Sequence, residues 1–61
     1  MKRRDLIRHL LNHDCVLLRE GAGHSIYANV ETGKQASVPR HREIKNYLAQ
    51  LVCEQLEIPP P

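Results

Sequence analysis

The sequence lacks the long apolar run and the leader that would send a small protein into or across a membrane. It contains no stretch of about 20 apolar residues, the length that a membrane-spanning helix needs. The start Met1–Arg4 is basic, as in a signal peptide, but Arg8, His9, Asn12 and His13 interrupt the apolar stretch behind it. We therefore expect a cytoplasmic protein with no membrane contact.

Cysteine is also scarce, which argues against a disulfide framework and against a structural zinc site. Cys15 and Cys53 are the 2 cysteines, and they have no Cys-x-x-Cys spacing. A disulfide between them stays open, but reduced, half-buried thiols are the simpler expectation. His9 and His13 are spaced to chelate a metal from one helix face, yet they supply too few ligands, and a solvated face is expected instead. We expect no metal and no cofactor.

Aromatic residues and the common catalytic motifs are nearly absent. The chain has no Phe or Trp, and its 2 aromatic residues are Tyr27 and Tyr47. There is no Walker-type loop, no Ser/His/Asp set and no pair of carboxylates, so the usual phosphate-loop, triad and carboxylate-pair sites are excluded. Tyr47 is expected in the core. Tyr27 can stack on a base or anchor a partner, although packing against its neighbours is equally compatible with the sequence.

Charge is unevenly distributed along the chain. Residues 1–42 hold 8 Lys/Arg and 4 acids, for +4, whereas residues 43–61 hold 1 Lys and 3 Glu, for −2. The basic part is suited to phosphate, and the acidic part to solvent. With 61 residues the chain is one domain at most, predicted over residues 1–58 with a proline tail at 59–61. So small a domain buries about 60% of its unfolded surface, which favours stabilisation by a partner.

Hydrophobic periodicity predicts an α+β fold of order α-β-β-β-α. Leu6, Ile7, Leu10 and Leu11 share one helix face, but three cations at the start of this helix oppose its dipole, which suggests that they serve another purpose. Short runs bounded by glycine turns predict a three-stranded antiparallel sheet. Both helices are expected on one face of that sheet. The strands are predicted at residues 15–20, 24–30 and 35–39, and the second helix is predicted at about residues 42–57.

Period-two alternation assigns the faces of the second strand. Ile26 and Ala28 are expected in the core, together with Ala36 and Val38 of the third strand. His24 is in phase with Ile26 and would therefore point toward the helices, at the frayed end of its strand. The other set is expected on the open face; its members are Ser25, Tyr27 and Asn29.

RNA cleavage is a chemistry for which these residues are suited, although a polar histidine in water at a strand end is the simpler interpretation of His24 alone. The 2′-hydroxyl of RNA is an internal nucleophile, so a protein needs to supply an acid or base and cations for the phosphorane. Histidine and arginine are suited to these two roles. His24 follows the turn Gly21-Ala22-Gly23, where glycine permits a tight bend and close approach of a ligand. His41 lies between Arg40 and Arg42, where it can cap the second helix or join a phosphate-binding patch.

Four motifs follow one another along the chain: Lys2-Arg3-Arg4-Asp5-Leu6-Ile7, Cys15-Val16-Leu17-Leu18-Arg19-Glu20, Gly23-His24-Ser25-Ile26-Tyr27 and Val38-Pro39-Arg40-His41. With these motifs the chain resembles the HicA family of mRNA interferase toxins, the toxin half of a toxin–antitoxin pair. The resemblance covers nearly the whole chain, and no single motif is decisive. Two departures are a Gly-Ala-Gly-His turn, where many members have Gly-Ser-His, and the loss of an early Gly-Thr-Leu in the last helix.

The resemblance implies a fold similar to double-stranded RNA-binding domains and a metal-independent endoribonuclease that cleaves mRNA and inhibits translation. It makes His24 the catalytic residue, acting as general acid or base. It also implies a HicB-type antitoxin that covers the active-site region in a hetero-oligomer. We expect that partner to present acidic or aromatic groups to the basic side near His24. The candidates for RNA contact are Arg19, Lys34, Arg40, Arg42 and Tyr27.

Two other functions remain open from the sequence. One is a non-catalytic RNA-binding module that recognises a duplex by its shape and phosphates, as double-stranded RNA-binding domains do. The other is a small protein-interaction domain that docks a partner on the sheet face around Tyr27. RNA binding without cleavage would indicate the first, and absence of any salt-dependent RNA affinity would indicate the second.

Overall fold

The computed structural model describes residues 1–61 and confirms the α-β-β-β-α order. The strands agree with prediction to within a residue. The second helix begins later than predicted, because residues 42–44 pair with the N-terminal segment through a bridge between Lys2 and Glu43. No helix has the length and apolarity needed to span a membrane. The elements are α1 (Arg3–Asn12), β1 (Cys15–Glu20), β2 (His24–Asn29), β3 (Gln35–Pro39) and α2 (Asn46–Gln55).

The sheet is an antiparallel meander of order β1-β2-β3, with both helices packed on one face. Leu6 and Leu10 of α1 and Val52 of α2 belong to a single core of 11 buried apolar residues. Burial of each such side chain stabilises the fold by about 1.5–3 kcal/mol. This confirms the predicted layering, and it is compatible with a fold of the double-stranded RNA-binding type. Cys15 and Cys53 lie in the same core as unpaired thiols, and burial raises the pKa of both.

The predicted faces of β2 are wrong. Ser25, Tyr27 and Asn29 point toward the helices and are buried, whereas His24 is exposed on the open face of the sheet. Tyr27 lies opposite the small Ala36, so the large ring fits into the core where its exposure is 6%. The two polar residues can be buried because each is hydrogen-bonded.

A β-bulge in β1 sets which of its residues meet β2. The register shifts between Leu17 and Arg19, so Arg19 lies opposite Ile26 on the open face and Glu20 lies opposite Ser25 on the helix side. Without the shift, Glu20 would lie opposite His24. The extra residue therefore directs the Glu20 side chain to the helix side, an effect for which bulges near functional sites are known.

Tyr47 is 65% exposed, so its predicted place in the core is also wrong. The buried stripe of α2 is formed by Ala49, Val52, Cys53 and Leu56, which follow the i, i+3, i+4, i+7 spacing of one helix face. Tyr47 precedes Ala49 by two positions, about 200° around the helix, and therefore faces away from the sheet.

Candidate functional site

His24 begins β2 directly after the glycine turn, and its imidazole is exposed to solvent. The Gly21 N–H closes the turn by donating to the His24 carbonyl oxygen at 2.8 Å. Gly23 has a φ of 76°, a left-handed conformation that glycine adopts without the steric cost of a Cβ. The Nδ1 atom of His24 lies 3.4 Å from the Ala22 carbonyl oxygen. A proton on Nδ1 would point at this oxygen and leave Nε2 free to exchange a proton with a ligand.

Arg40 holds this turn from the end of β3. Its Nη1 donates to the His24 carbonyl oxygen at 2.8 Å and to Glu20 Oε1 at 2.7 Å, and its Nη2 donates to the Gly21 carbonyl oxygen at 2.7 Å. The pairing of His24 with Pro39 brings Arg40 to this position. Because one planar guanidinium contacts all of these acceptors, it couples the histidine's backbone to β3. The Arg40 side chain is still 40% exposed, so its charge also remains accessible to an anion.

A second chain of hydrogen bonds lies at the same end of the sheet. Arg3 Nη2 donates to Ser25 Oγ at 2.9 Å, and the Ser25 hydroxyl donates to Glu20 Oε1 at 2.7 Å. Arg3 Nε also donates to the Pro39 carbonyl oxygen at 3.0 Å, which ties the start of α1 to β3. The pKa of the Glu20 carboxyl is below its ordinary value, first because of the Ser25 hydrogen bond and further because of the Arg40 hydrogen bond and charge.

Four cations surround a cavity of about 230 Å³ near the start of α1, and no hydrophobic residue lines it. We call it the cation pocket; its residues are Lys2, Arg3, Arg4 and Arg42. The Arg3 N–H donates to the Arg42 carbonyl oxygen at 2.9 Å, which holds the two chain segments together. Arg3 therefore takes part both in the cation pocket and in the network beneath the glycine turn.

The structure separates the residues that were predicted to contact RNA. Arg40 lies at the His24 turn, Arg42 lies in the cation pocket, and Arg19 is exposed on the same open face as His24. Lys34 lies in the β2–β3 turn, at the opposite end of the sheet. Five residue steps along β2 amount to about 16 Å, so Lys34 and His24 cannot contact the same phosphate.

Tyr27 does not contribute to an exposed surface. Its burial at 6% exposure contradicts the predicted role in stacking on RNA bases, because the ring packs against the core instead. The same finding removes the anchor of the protein-docking face that the sequence suggested around Tyr27.

None of the other three histidines makes a hydrogen bond to the glycine turn. His41 is exposed, and it does not cap α2, whose N-cap residue Lys45 has no side-chain capping bond. The rings of His9 and His13 are tilted by 54° with their centroids 4.6 Å apart, and His9 Nε2 lies 2.8 Å from the Pro59 carbonyl oxygen. The chain contains no cluster of three or more His, Cys, Asp or Glu side chains that could hold a metal ion.

Sequence reasoning missed Glu20, Ser25 and Arg3 as parts of this site. Ser25 was assigned to the open face, so its contact with Glu20 was not expected, and the bulge that aligns the two leaves no clear mark in the sequence. Arg3 did carry a signal, because cations at a helix N-terminus oppose the helix dipole. The structure accounts for part of that conflict through the bonds of Arg3 to Ser25 and Pro39.

The arrangement has the parts that phosphodiester chemistry requires. An exposed imidazole can transfer a proton, and the partly exposed Arg40 guanidinium, which is bonded to the His24 carbonyl oxygen, can interact with a phosphate at the same end of the sheet. The turn that carries the imidazole is braced by bonds from β3, so its backbone position is defined before a ligand binds.

Comparison with known proteins places the chain in a family. The family model described as "HicA toxin of bacterial toxin-antitoxin" matches residues 3–58 of the 61-residue chain. Neither the curated proteins nor the solved structures include a significant match. The matched range contains both helices, the whole sheet and every residue of the braced turn. The chain belongs to the HicA toxin family of bacterial toxin–antitoxin systems.

Proposed function

We propose that this toxin is a metal-independent endoribonuclease that cleaves mRNA and thereby inhibits translation, with His24 as its general acid or base. The observation that carries the proposal is the exposed His24 imidazole on a glycine turn that Arg40 braces from β3. Membership of a toxin family supports it, because a toxin needs an essential cellular target. The expected cytoplasmic location, where mRNA is translated, belongs to the same proposal.

The chemistry needs only the substrate and the side chains of this site. As base, His24 Nε2 takes the proton of the ribose 2′-hydroxyl, whose oxygen then forms a bond to phosphorus. The bond from phosphorus to the 5′-oxygen breaks, and the leaving oxygen receives a proton from the solvent or from the imidazolium. Arg40 stabilises the charge that develops on the phosphoryl oxygens. General acid–base catalysis of this kind contributes about 10²–10⁴-fold, which is compatible with a slow nuclease.

The cations are proposed to contact different parts of the RNA. Arg40 lies at the end of the sheet that carries His24, and Arg19 is exposed on the same face of the sheet as His24. Arg42 lies in the cation pocket and Lys34 at the far turn, so their contacts would be to phosphates further along the strand. Arginine is well suited to such contacts because its fork binds two phosphate oxygens at once.

The test is cleavage of a structured mRNA in excess EDTA. Wild type should cleave, and a folded His24→Ala variant should lose at least about 100-fold of the rate, as expected for loss of a general acid or base. His41→Ala is the matched control, since it removes another exposed histidine that makes no hydrogen bond. Cleavage by His24→Ala at the wild-type rate would disprove the assignment. Loss of wild-type cleavage in EDTA would disprove metal independence.

The second candidate is a non-catalytic RNA-binding module. The cation pocket favours it, since phosphate contacts alone support binding. Such a module would bind RNA with the same affinity before and after His24→Ala. The wild-type protein itself would cleave no RNA. The same assay, followed by a binding titration, therefore separates the two functions.

As a toxin of a toxin–antitoxin system, the protein has an antitoxin as its partner. We propose that this partner is a HicB-type protein, forming a hetero-oligomer in which acidic or aromatic groups cover the basic side near His24. Charge complementarity of this kind accelerates association and makes it sensitive to salt. Saturating antitoxin should abolish mRNA cleavage and slow hydrogen exchange in the Gly21–His24 turn. Inhibition without protection of this turn would contradict the proposed position.

A further inference from the structure

The cation pocket is assembled by two segments that are distant in the chain. The N-terminal residues pair with residues 42–44: the Met1 carbonyl oxygen accepts from the Ile44 N–H at 2.8 Å, and the Arg42 carbonyl oxygen accepts from the Arg3 N–H at 2.9 Å. This pairing brings Lys2, Arg3 and Arg4 next to Arg42. The backbone thus holds four like charges around one concave surface of defined shape.

Few carboxylates balance these charges. Lys2 pairs with Glu43 at 3.1 Å, but none of the ion pairs includes Arg4 or Arg42. Both arginines are exposed, and neither side chain makes a hydrogen bond within the molecule. Clustered cations repel one another, and the charge of Glu43, which pairs with Lys2, offsets this repulsion only in part. An anion in the cavity would remove this repulsion.

We propose that the cation pocket binds a phosphate of the RNA backbone other than the one that is cleaved. The inference rests on the proposed RNA substrate. The cavity of about 230 Å³ has a lining without hydrophobic residues, as suits a phosphate, whereas the core of a protein interface is usually apolar. Arg3 connects the pocket to Ser25 and Pro39 beneath the His24 turn. A strand held in the pocket is therefore placed at the end of the sheet that carries His24, on the helix side of the turn whose open face presents the imidazole.

The test measures binding of a fully 2′-O-methylated RNA, which keeps every phosphate but lacks the nucleophile. The double variant Arg4→Gln/Arg42→Gln should reduce the magnitude of the slope of log K against log salt by about 0.7 per lost phosphate contact. At 0.1 M salt this corresponds to about fivefold weaker binding for each contact. Arg8→Gln is the matched control, because Arg8 lies on α1 outside the pocket and pairs only with Asp5 at 3.7 Å.

The outcomes separate this inference from the proposed function. The double variant could bind RNA with wild-type affinity and wild-type salt dependence while the wild-type protein still cleaves mRNA. That result would disprove phosphate binding in the pocket and leave the proposed nuclease function standing. Absence of RNA binding and cleavage by wild type would overturn both. The thermal midpoint of the double variant should equal or exceed that of wild type; a lower midpoint with RNA binding unchanged would mean a structural role and overturn the inference.

Two further probes identify the ligand. Inorganic phosphate should compete with the methylated RNA only weakly, since it lacks the neighbouring contacts of a strand. An NMR titration could show that phosphate shifts the Arg4 amide resonance to a plateau while RNA leaves that resonance unchanged. In that case the pocket binds an adventitious ion only, and the inference fails. It also fails if a decaglutamate peptide binds wild type but not the double variant, while RNA affinity is the same for both.

Discussion

The two turns that flank β2 contain a glycine in the same conformation but are stabilised in different ways. Gly23 has φ 76° and Gly33 has φ 78°, and a Cβ would meet no atom within 4 Å at either position. The β2–β3 turn is held by its own residues, since the Gly33 N–H donates to the Asn29 carbonyl oxygen at 2.8 Å. The β1–β2 turn is likewise closed by its own Gly21–His24 bond, but it also receives hydrogen bonds from the Arg40 side chain, which lies 16 to 20 positions away in the chain.

The difference bears on function. Both turns are closed by a bond between their own residues, but the His24 turn gains the bracing bonds of Arg40 only after β3 has docked. The candidate site thus depends on the completed fold, although its histidine is next to the glycines in sequence. Changes to the backbone of the β1–β2 turn should affect RNA cleavage, and changes to the backbone of the β2–β3 turn should affect stability alone.

The largest difference is expected on removal of the brace. Arg40→Met keeps the bulk of the side chain but removes its hydrogen bonds to Glu20, Gly21 and His24. We expect mRNA cleavage to fall roughly 10–100-fold, because small displacements of a catalytic group are costly. Lys34→Met at the opposite turn is the control: it removes one proposed distal phosphate contact and should cost no more than about fivefold. Equal losses in the two variants would mean that both arginine and lysine act only through bulk charge.

Substitutions of the two buried polar residues of β2 should affect stability and mRNA cleavage to different extents. Asn29 is 4% exposed, donates to the Leu56 carbonyl oxygen at 2.8 Å and accepts from the Glu31 N–H at 2.9 Å. Asn29→Ala should lower the free energy of unfolding by about 2 kcal/mol, since buried backbone groups lose their partner. Ser25→Ala should destabilise less, because Glu20 can be rehydrated, but should slow cleavage more. Urea unfolding and the cleavage assay measure the two effects; the reverse ranking would contradict the comparison.

The two positive-φ glycines give a matched pair. Gly23→Ala and Gly33→Ala should each lower the free energy of unfolding by about 1–2 kcal/mol, because alanine resists the left-handed region. Only Gly23→Ala should also reduce cleavage in the folded protein. Gly21→Ala is the control, since its added Cβ would meet the His24 carbonyl oxygen at an ordinary 3.5 Å. If Gly33→Ala impaired cleavage as strongly as Gly23→Ala, the turns would not be functionally distinct.

The smallest effect is expected from acid. The folded-state pKa of Glu20 is lowered from 4.5, first by the Ser25 hydrogen bond, so its contribution to stability is complete above pH 4.5 and is lost as pH falls toward the folded pKa. Glu20→Gln should therefore reduce the pH dependence of the unfolding midpoint in this range. The effect is small because the carboxylate is exposed to solvent. Glu54→Gln is the control, and an equal change in that variant would exclude the proposed linkage.

The order of the elements was predictable because it depends on local patterns. Glycines at 21, 23 and 33 bound the strands, and leucines at helical spacing define α1, so short-range chemistry was sufficient. The resemblance to HicA toxins rested on the same local motifs, and the family match over residues 3–58 confirms it. The position of His24 after its turn was likewise legible in the sequence, whereas its role in catalysis stays a prediction.

The faces of β2 were not predictable from alternation, because both sets of residues mix polar and apolar side chains. Burial of Ser25 and Asn29 depends on hydrogen bonds from distant residues, which outweigh their polarity in deciding the face. Tyr47 was misplaced for a related reason, since two helix faces of α2 carry apolar residues and only packing against β3 selects one.

The sequence by itself determined the elements, their order, the family and the placement of a histidine after a glycine turn, because these depend on neighbours within a few positions. Only the tertiary structure decided the bulge that directs Glu20 to Ser25, the brace that Arg40 forms, and the pairing that builds the cation pocket. The brace and the pocket require residues that are far apart in the chain to meet, and the bulge requires β1 and β2 to pair in one register, which the packing of the core selects.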